Sequence, residues 1–122
     1  MKKILLVEDN ENNRYLERFL LEREGLAVVT ATNGAEALEA AAAENPDLIV
    51  MDIQMPEMDG YETARRLKGS PGLARIPIVG VSSYAMAGDR EKAIGAGFAG
   101  YIEKPINPET FGSEIKRFLN MY

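Results

Sequence analysis

Five short apolar segments alternate along the chain with longer segments of helical periodicity. The apolar segments lie at residues 4–7, 27–31, 48–51, 78–81 and 100–102. The sequence LIVM at 48–51 is continuously apolar, which is typical of a strand covered on both faces. The segments at 4–7 and 78–81 have the same character. The pattern therefore predicts five strands, of which these three are expected inside a sheet.

The intervening segments predict helices. The first helix ends at Gly25, and helical spacing is shared by Leu16, Phe19, Leu20 and Arg23. Three further helices are expected at residues 35–44, 60–67 and 89–96. The segment 89–96 has few large apolar side chains, so it is the weakest of these helices.

The fifth helix has a clear start signal. Asn107 is suited to cap a helix, and Pro108 is suited to its first turn. Helical spacing then predicts a buried stripe formed by Phe111, Ile115 and Phe118. The fifth helix is therefore expected to begin at Asn107.

The alternation of strand and helix predicts an α/β fold with a doubly wound, five-stranded parallel sheet and five helices on its two faces. The length of 122 residues fits one domain over residues 1–122. Ligands of such sheets bind outside the carboxyl ends of the strands, where the strand order reverses. For the order 2-1-3-4-5, this point lies between the first and third strands.

Composition excludes several classes of function. Lys and Arg number 14 against 19 Asp and Glu, and the net charge of −5 makes nucleic acid and anionic membranes poor partners. The chain has no Cys and no His, which excludes disulfides, thiolate chemistry, His-ligated zinc and a Ser-His-Asp triad. No apolar segment approaches membrane-spanning length, so we expect a soluble, cytoplasmic protein.

Polar residues follow four of the predicted strands. Glu8 and Asp9 follow the first strand, Asp52 ends the third, Ser82 ends the fourth, and Lys104 follows the fifth. The three acids would meet at one edge of the sheet, where like charges need neutralisation. A divalent cation supplies it, and Mg²⁺ prefers such oxygen ligands. Each residue taken alone also fits a solvated strand end or a helix cap, but together they favour a site.

This set of groups suits phosphoryl transfer. A carboxylate such as Asp52 acts as a nucleophile toward phosphorus and forms an aspartyl phosphate. The reaction depends mainly on positioning and on neutralising the charge of the phosphoryl oxygens. Mg²⁺ and Lys104 would neutralise that charge, and Ser82 would donate a hydrogen bond to a phosphoryl oxygen.

At these residues the sequence resembles a bacterial response-regulator receiver domain over essentially the whole chain. The matching motifs are VEDN at 7–10, MDIQMP at 51–56 with DG at 59–60, VSSYAM at 81–86 and YIEKP at 101–105. The resemblance implies a flavodoxin-like fold. It also implies that Asp52 is the phosphoacceptor, that Asp9 binds Mg²⁺ directly and Glu8 through water, and that the backbone carbonyl of Gln54 completes the protein ligands.

The resemblance further implies a switch. Lys104 would pair with the phosphoryl group, and its bond to Pro105 is expected to be cis. Ser82 would move toward the phosphoryl group and Tyr101 would turn inward, which would change the face formed by helix four, strand five and helix five. Many receiver domains have Ala where this chain has Ser83, a difference that affects the expected rates of phosphoryl entry and hydrolysis.

The family receives its phosphoryl group from a phosphohistidine on a partner, here a sensor histidine kinase or a histidine phosphotransfer protein. The output would be contact with a downstream protein target. The chain is expected to catalyse only its own phosphoryl uptake and slow autodephosphorylation, and to be a free-standing domain. Three alternatives stay open: an unphosphorylated binding or dimerisation module, a hydrolase of small acyl phosphates, and a fragment of a larger regulator or hybrid kinase.

Overall fold

A single parallel sheet forms the centre of the computed structural model, which describes residues 1–83 and 88–121. Its strand order is β2-β1-β3-β4-β5, which confirms the predicted fold class. The strands are β1 (Lys3–Val7), β2 (Ala27–Ala31), β3 (Leu48–Asp52), β4 (Ile78–Ser82) and β5 (Gly100–Glu103). Each apolar segment is therefore a strand, and β3, β4 and β5 each extend one residue further into the polar residues at their carboxyl ends.

Alternate strand residues face two separate hydrophobic cores, because successive side chains of a strand point to opposite faces. On one face, Leu5 and Ile49 pack with residues of the helices that follow β2, β3 and β4. On the other face, Ile4 and Leu48 pack with residues of the first and last helices. Both faces are covered, which explains the continuously apolar sequences of β1 and β3.

Five helices connect or follow the strands. They are α1 (Glu11–Arg23), α2 (Gly34–Glu44), α3 (Gly60–Lys68), α4 (Asp89–Gly95) and α5 (Phe111–Asn120). The side chains of Asn10, Asn33 and Asp59 cap the first three helices by accepting a hydrogen bond from a backbone N–H of the first turn. None of the helices within residues 1–83 and 88–121 is both long and apolar enough to cross a bilayer.

The start of the last helix differs from the prediction. It begins at Phe111, four residues beyond Asn107, because residues 108–110 form a separate turn. Asn107 caps this turn, since its Oδ1 accepts a hydrogen bond of 2.9 Å from the backbone N–H of Glu109. The predicted stripe is also partly wrong, because Phe118 is only half-buried and Leu119 is buried instead.

Helix α1 presents a different face to the sheet from the one that the apolar spacing suggested. Leu20 is buried as expected, but Phe19 is 52% exposed and Leu16 lies partly in solvent. The residues that face the core are Glu17, Leu20 and Leu21. These positions are three and four residues apart, so they form one stripe, and an acidic residue belongs to it.

Candidate functional site

The reversal of strand order brings three acids together. β1 pairs with β3 so that Val7 lies opposite Met51, and the residues that follow these two are Glu8 and Asp52. Carboxylate oxygens of Glu8, Asp9 and Asp52 all lie within 4.8 Å of one another. Glu8 and Asp52 are buried, whereas Asp9 is exposed. The arrangement predicted from the strand ends is therefore present.

Lys104 supplies the positive charge beside these acids. Its Nζ lies 3.0 Å and 3.3 Å from the two carboxylate oxygens of Glu8, and 3.3 Å from Asp52 Oδ1. Its backbone N–H donates a 2.7 Å hydrogen bond to the carbonyl of Ser82 at the end of β4. The Lys104–Pro105 peptide bond is cis, as expected.

Crowding of the acids has a clear electrostatic effect. Burial, together with hydrogen bonding to and repulsion by Glu8, raises the pKa of Asp52 to about 8, although Lys104 opposes the rise. Burial alone would lower the pKa of Lys104, but the negative charges of Glu8 and Asp52 outweigh it and raise that pKa. One ammonium group is thus too little charge for three carboxylates.

The donor set of this site fits a magnesium ion. All three side chains offer carboxylate oxygens, the ligands that Mg²⁺ prefers. The backbone of Gln54 is also at the site, because its N–H donates a 3.2 Å hydrogen bond to Asp52 Oδ1. Glu8, Asp9 and Asp52 are therefore the side chains that would hold the ion, and the resemblance to receiver domains implies the Gln54 carbonyl as a further ligand.

The hydroxyl of Ser82 is held by a side chain to which sequence reasoning gave no role. Gln54 Nε2 donates a 2.6 Å hydrogen bond to Ser82 Oγ. Gln54 Oε1 in turn accepts a 2.9 Å hydrogen bond from the backbone N–H of Ser83. The sequence gave no signal for this bridge, because it joins two loops that are adjacent only in the folded sheet.

Comparison with known proteins identifies the family. The family model described as "Response regulator receiver domain" matches residues 4–116. The polar-differentiation response regulator DivK of Brucella anthropi is 43% identical over 118 residues, which cover 97% of this chain and 96% of DivK. The chain belongs to the response regulator receiver domain family.

Solved structures with the same fold include other receiver domains. The chemotaxis protein CheY4 of Vibrio cholerae has a TM-score of 0.89 and 30% identity, covering 96% of this chain and 98% of CheY4. The receiver domain of the sensor histidine kinase PA1611 from Pseudomonas aeruginosa has a TM-score of 0.85 and 32% identity, covering 99% and 96%. That structure contains a magnesium ion coordinated in the active site cleft.

Tyr101 of this receiver domain is already buried. Its ring belongs to the core on the α2–α4 face of the sheet, so phosphorylation would have to stabilise the inward position rather than create it. The third matching motif continues into residues 84–86, which lie outside the described residues. Among the described ones, Ser82 and Ser83 occupy the end of β4 and the position after it.

A buried acid next to the site was not singled out from the sequence. Glu17 of α1 is only 3% exposed. Burial and repulsion by Glu8 raise its pKa to about 8, although Lys104 opposes the rise. Its spacing of three and four residues from Leu20 and Leu21 was the signal that could have revealed its position.

Proposed function

We propose that this receiver domain is a phosphorylation-dependent switch that accepts a phosphoryl group on Asp52 from a phosphohistidine of a partner. The partner would be a sensor histidine kinase or a histidine phosphotransfer protein. The observation that supports the proposal most is the position of Asp52, which is buried beside Glu8 and Asp9 and within 3.3 Å of the Lys104 ammonium.

The reaction requires little of the protein beyond positioning. A carboxylate oxygen of Asp52 attacks phosphorus, the new P–O bond forms as the P–N bond of the phosphohistidine breaks, and the imidazole leaves with the electron pair of that bond. A bound Mg²⁺ would neutralise charge on the carboxylates and phosphoryl oxygens. Lys104, which now contacts Glu8 and Asp52, would pair with a phosphoryl oxygen. The domain would then lose the group by slow autodephosphorylation.

The output would be a change at the face formed by α4, β5 and α5, where a downstream protein would bind in the cytoplasm. Ser82 and Tyr101 would couple the site to this face. Hydrogen bonds to charged groups contribute about 1.5–3 kcal/mol each, so new bonds from Ser82 and Lys104 would supply about 3–6 kcal/mol. Moving a two-state equilibrium from about 1:99 to 99:1 needs about 5.5 kcal/mol, which lies near the upper end of this range.

Phosphorylation by a small donor tests this function. After incubation with acetyl phosphate and Mg²⁺, intact-protein mass spectrometry should show a gain of one phosphoryl group. The gain should disappear without Mg²⁺ and in Asp52→Asn, since that amide is a far weaker nucleophile. Amide chemical shifts along β5 and α5 should change in the phosphorylated wild type.

Two controls make this experiment decisive. The same acetyl phosphate must phosphorylate a known receiver domain, and Asp52→Asn must unfold at a temperature close to that of the wild type or above it. If the donor is active and the folded wild type gains no mass, the domain is instead an unphosphorylated binding or dimerisation module.

A further inference from the structure

The side chain of Gln54 connects the ends of two neighbouring strands. Gln54 follows Asp52 by two residues, and its amide group bonds both to Ser82 Oγ, at 2.6 Å, and to the backbone N–H of Ser83, at 2.9 Å. The orientation of the amide follows from its partners. A backbone N–H only donates, so the amide oxygen must face Ser83 and the amide nitrogen must face Ser82.

The hydrogen bond from Gln54 holds the Ser82 hydroxyl at the edge of a cavity between α3 and α4. This cavity of about 470 Å³ is lined by Gln54, Ser82 and Lys92, among other residues. Of the described residues, the acids of the site and Lys104 are not among those that line it. Ser82, whose hydroxyl accepts a hydrogen bond from Gln54, therefore borders the space between the helices, whereas the acids at which a phosphoryl group would arrive do not.

The register of β3 and β4 places Ser82 next to Asp52, so a movement of Ser82 toward Asp52 would be short. Asp52 of β3 lies opposite Val81 of β4, and Ser82 is the next residue. A phosphoryl group on Asp52 would thus arrive next to the end of β4. The Ser82 hydroxyl accepts from Gln54 and would donate to a phosphoryl oxygen, so the two bonds compete through position: movement of Ser82 toward Asp52 would lengthen its 2.6 Å hydrogen bond with Gln54.

We propose that the Gln54 side chain is a latch of the unphosphorylated state, which holds Ser82 and Ser83 away from the phosphoryl position. This inference rests on the proposed function. Gln54 is then a positioning residue with two separate roles: its main-chain carbonyl would bind the metal, and its side chain opposes the movement of Ser82. The strength of the latch sets how easily a phosphoryl group converts the domain.

Replacing the Gln54 amide with an apolar group of similar length should release Ser82 and Ser83, because both hydrogen bonds of the latch are lost. Gln54→Met removes both hydrogen bonds, keeps the main-chain carbonyl and approximately keeps the volume. The variant should bind the phosphoryl analogue beryllium trifluoride, in the presence of Mg²⁺, about 3- to 10-fold more tightly than the wild type, because a typical hydrogen bond shifts an equilibrium by about that factor. Gln54→Ala should change the affinity in the same direction.

A double-mutant cycle separates a latch from a general structural effect. Analogue affinity is measured by titration for the wild type, Gln54→Met, Ser82→Ala and the double variant, and Mg²⁺ affinity is measured separately for each. In the Ser82→Ala background the effect of Gln54→Met should largely disappear, since the hydroxyl that it releases is absent. The analogue affinity of Gln54→Met should also rise more than its Mg²⁺ affinity, and the Ser83 amide resonance should move when its acceptor is removed.

The outcomes are distinct. If the wild type binds the analogue and Gln54→Met binds it equally or more weakly, the latch is wrong and the proposed function stands. An unchanged effect of Gln54→Met in the Ser82→Ala background also overturns the latch, because the effect would not pass through the hydroxyl. If the folded wild type does not bind the analogue at all, the proposed function fails together with the latch.

Discussion

The two sides of the site are anchored very differently. On the anchored side, which we define as β1 and β3 with α1 and α3, α1 begins two residues after Asp9 and is capped by Asn10. Arg14 of α1 also donates a 2.9 Å hydrogen bond to the carbonyl of Glu8. On the loosely anchored side, which we define as α4 and the carboxyl ends of β4 and β5 beside it, the helix has seven residues, and Ala93 is its only buried residue. Within the described part of the chain, no side chain caps α4 at Gly88.

This difference in anchoring matches the separate roles that we propose for the two sides, metal binding on one and switching on the other. The groups that would hold the metal follow β1 and β3 on the anchored side, where displacement would cost binding energy. Ser82 and Tyr101, which would respond, lie on β4 and β5 beside α4, the helix with the fewest buried residues among the described ones. Elements with few buried contacts open at the lowest free energy, so they are the ones available for a switch.

The largest effect is expected at the start of α3, on the anchored side. A Cβ atom at Gly60 would lie 2.7 Å from Ile53 Cα and 2.9 Å from the carbonyl oxygen of Asp52. Neither backbone atom is free to move, so Gly60→Ala should lower the free energy of unfolding by about 2–4 kcal/mol. Urea unfolding measures this loss. A loss below about 0.5 kcal/mol would mean that the anchored side is more adaptable than its packing indicates.

A second test concerns the buried acid of the same side. The pKa of Glu17 is raised in the folded state to about 8 from the ordinary value of 4.5. The folded state therefore binds the extra proton between these values, and stability falls as pH rises through this window. The linkage is worth about 4 kcal/mol at pH 8 and burial of the neutral amide offsets about half of it, so Glu17→Gln should raise the free energy of unfolding by about 2 kcal/mol.

The pH dependence identifies the cause of this gain. Below pH 4.5 the carboxyl group is protonated in both states, so the advantage of Glu17→Gln should vanish there. Urea unfolding at several pH values between these limits would show it. For Glu39→Gln, a matched change at an exposed position of α2, the difference in stability from the wild type should not depend on pH. Equal slopes for the two variants would contradict the assignment of the proton to Glu17.

The smallest effect is expected on the loosely anchored side. A Cβ atom at Gly95, the last residue of α4, would have no heavy atom within 4 Å. Gly95→Ala should therefore stabilise α4 by about 0.5–1 kcal/mol, because alanine loses less conformational freedom in a helix. Hydrogen exchange of the α4 amides should slow by up to about fivefold. Faster exchange in this variant would show that the helix end is more tightly constrained than its open surroundings indicate.

Much of the fold and the site followed from local pattern. Continuous apolar sequences predict the strands, and the topology of a doubly wound sheet predicts that Glu8, Asp9, Asp52 and Lys104 lie at one edge. The start of α5 was mispredicted because the same residue types, Asn followed by Pro, open a turn as readily as a helix. The turn comes first here, and the helix begins only at Phe111.

The remaining features depend on three-dimensional placement. The buried face of α1 is set by how the helix is rotated against the sheet, so the helical spacing shared by Leu16, Phe19 and Leu20 did not reveal Glu17 as a buried residue. The bridge made by Gln54 depends on the distance between the ends of β3 and β4. No property of Gln54 in the sequence distinguishes it from a solvated loop residue, since its partner Ser82 is 28 positions away.

One main-chain contact joins the electrostatics of the site to its mechanics. The backbone N–H of Lys104 is bonded to the carbonyl of Ser82, while the ammonium of the same residue lies between two carboxylates. In the proposed switch, attraction of the ammonium by a newly arrived negative charge would therefore act, through the Lys104 side chain, on the strand that bears the hydroxyl. Neutralisation of the arriving charge and movement of β4 would then occur together. The stiffness of the Lys104 side chain would determine how much movement the charge produces.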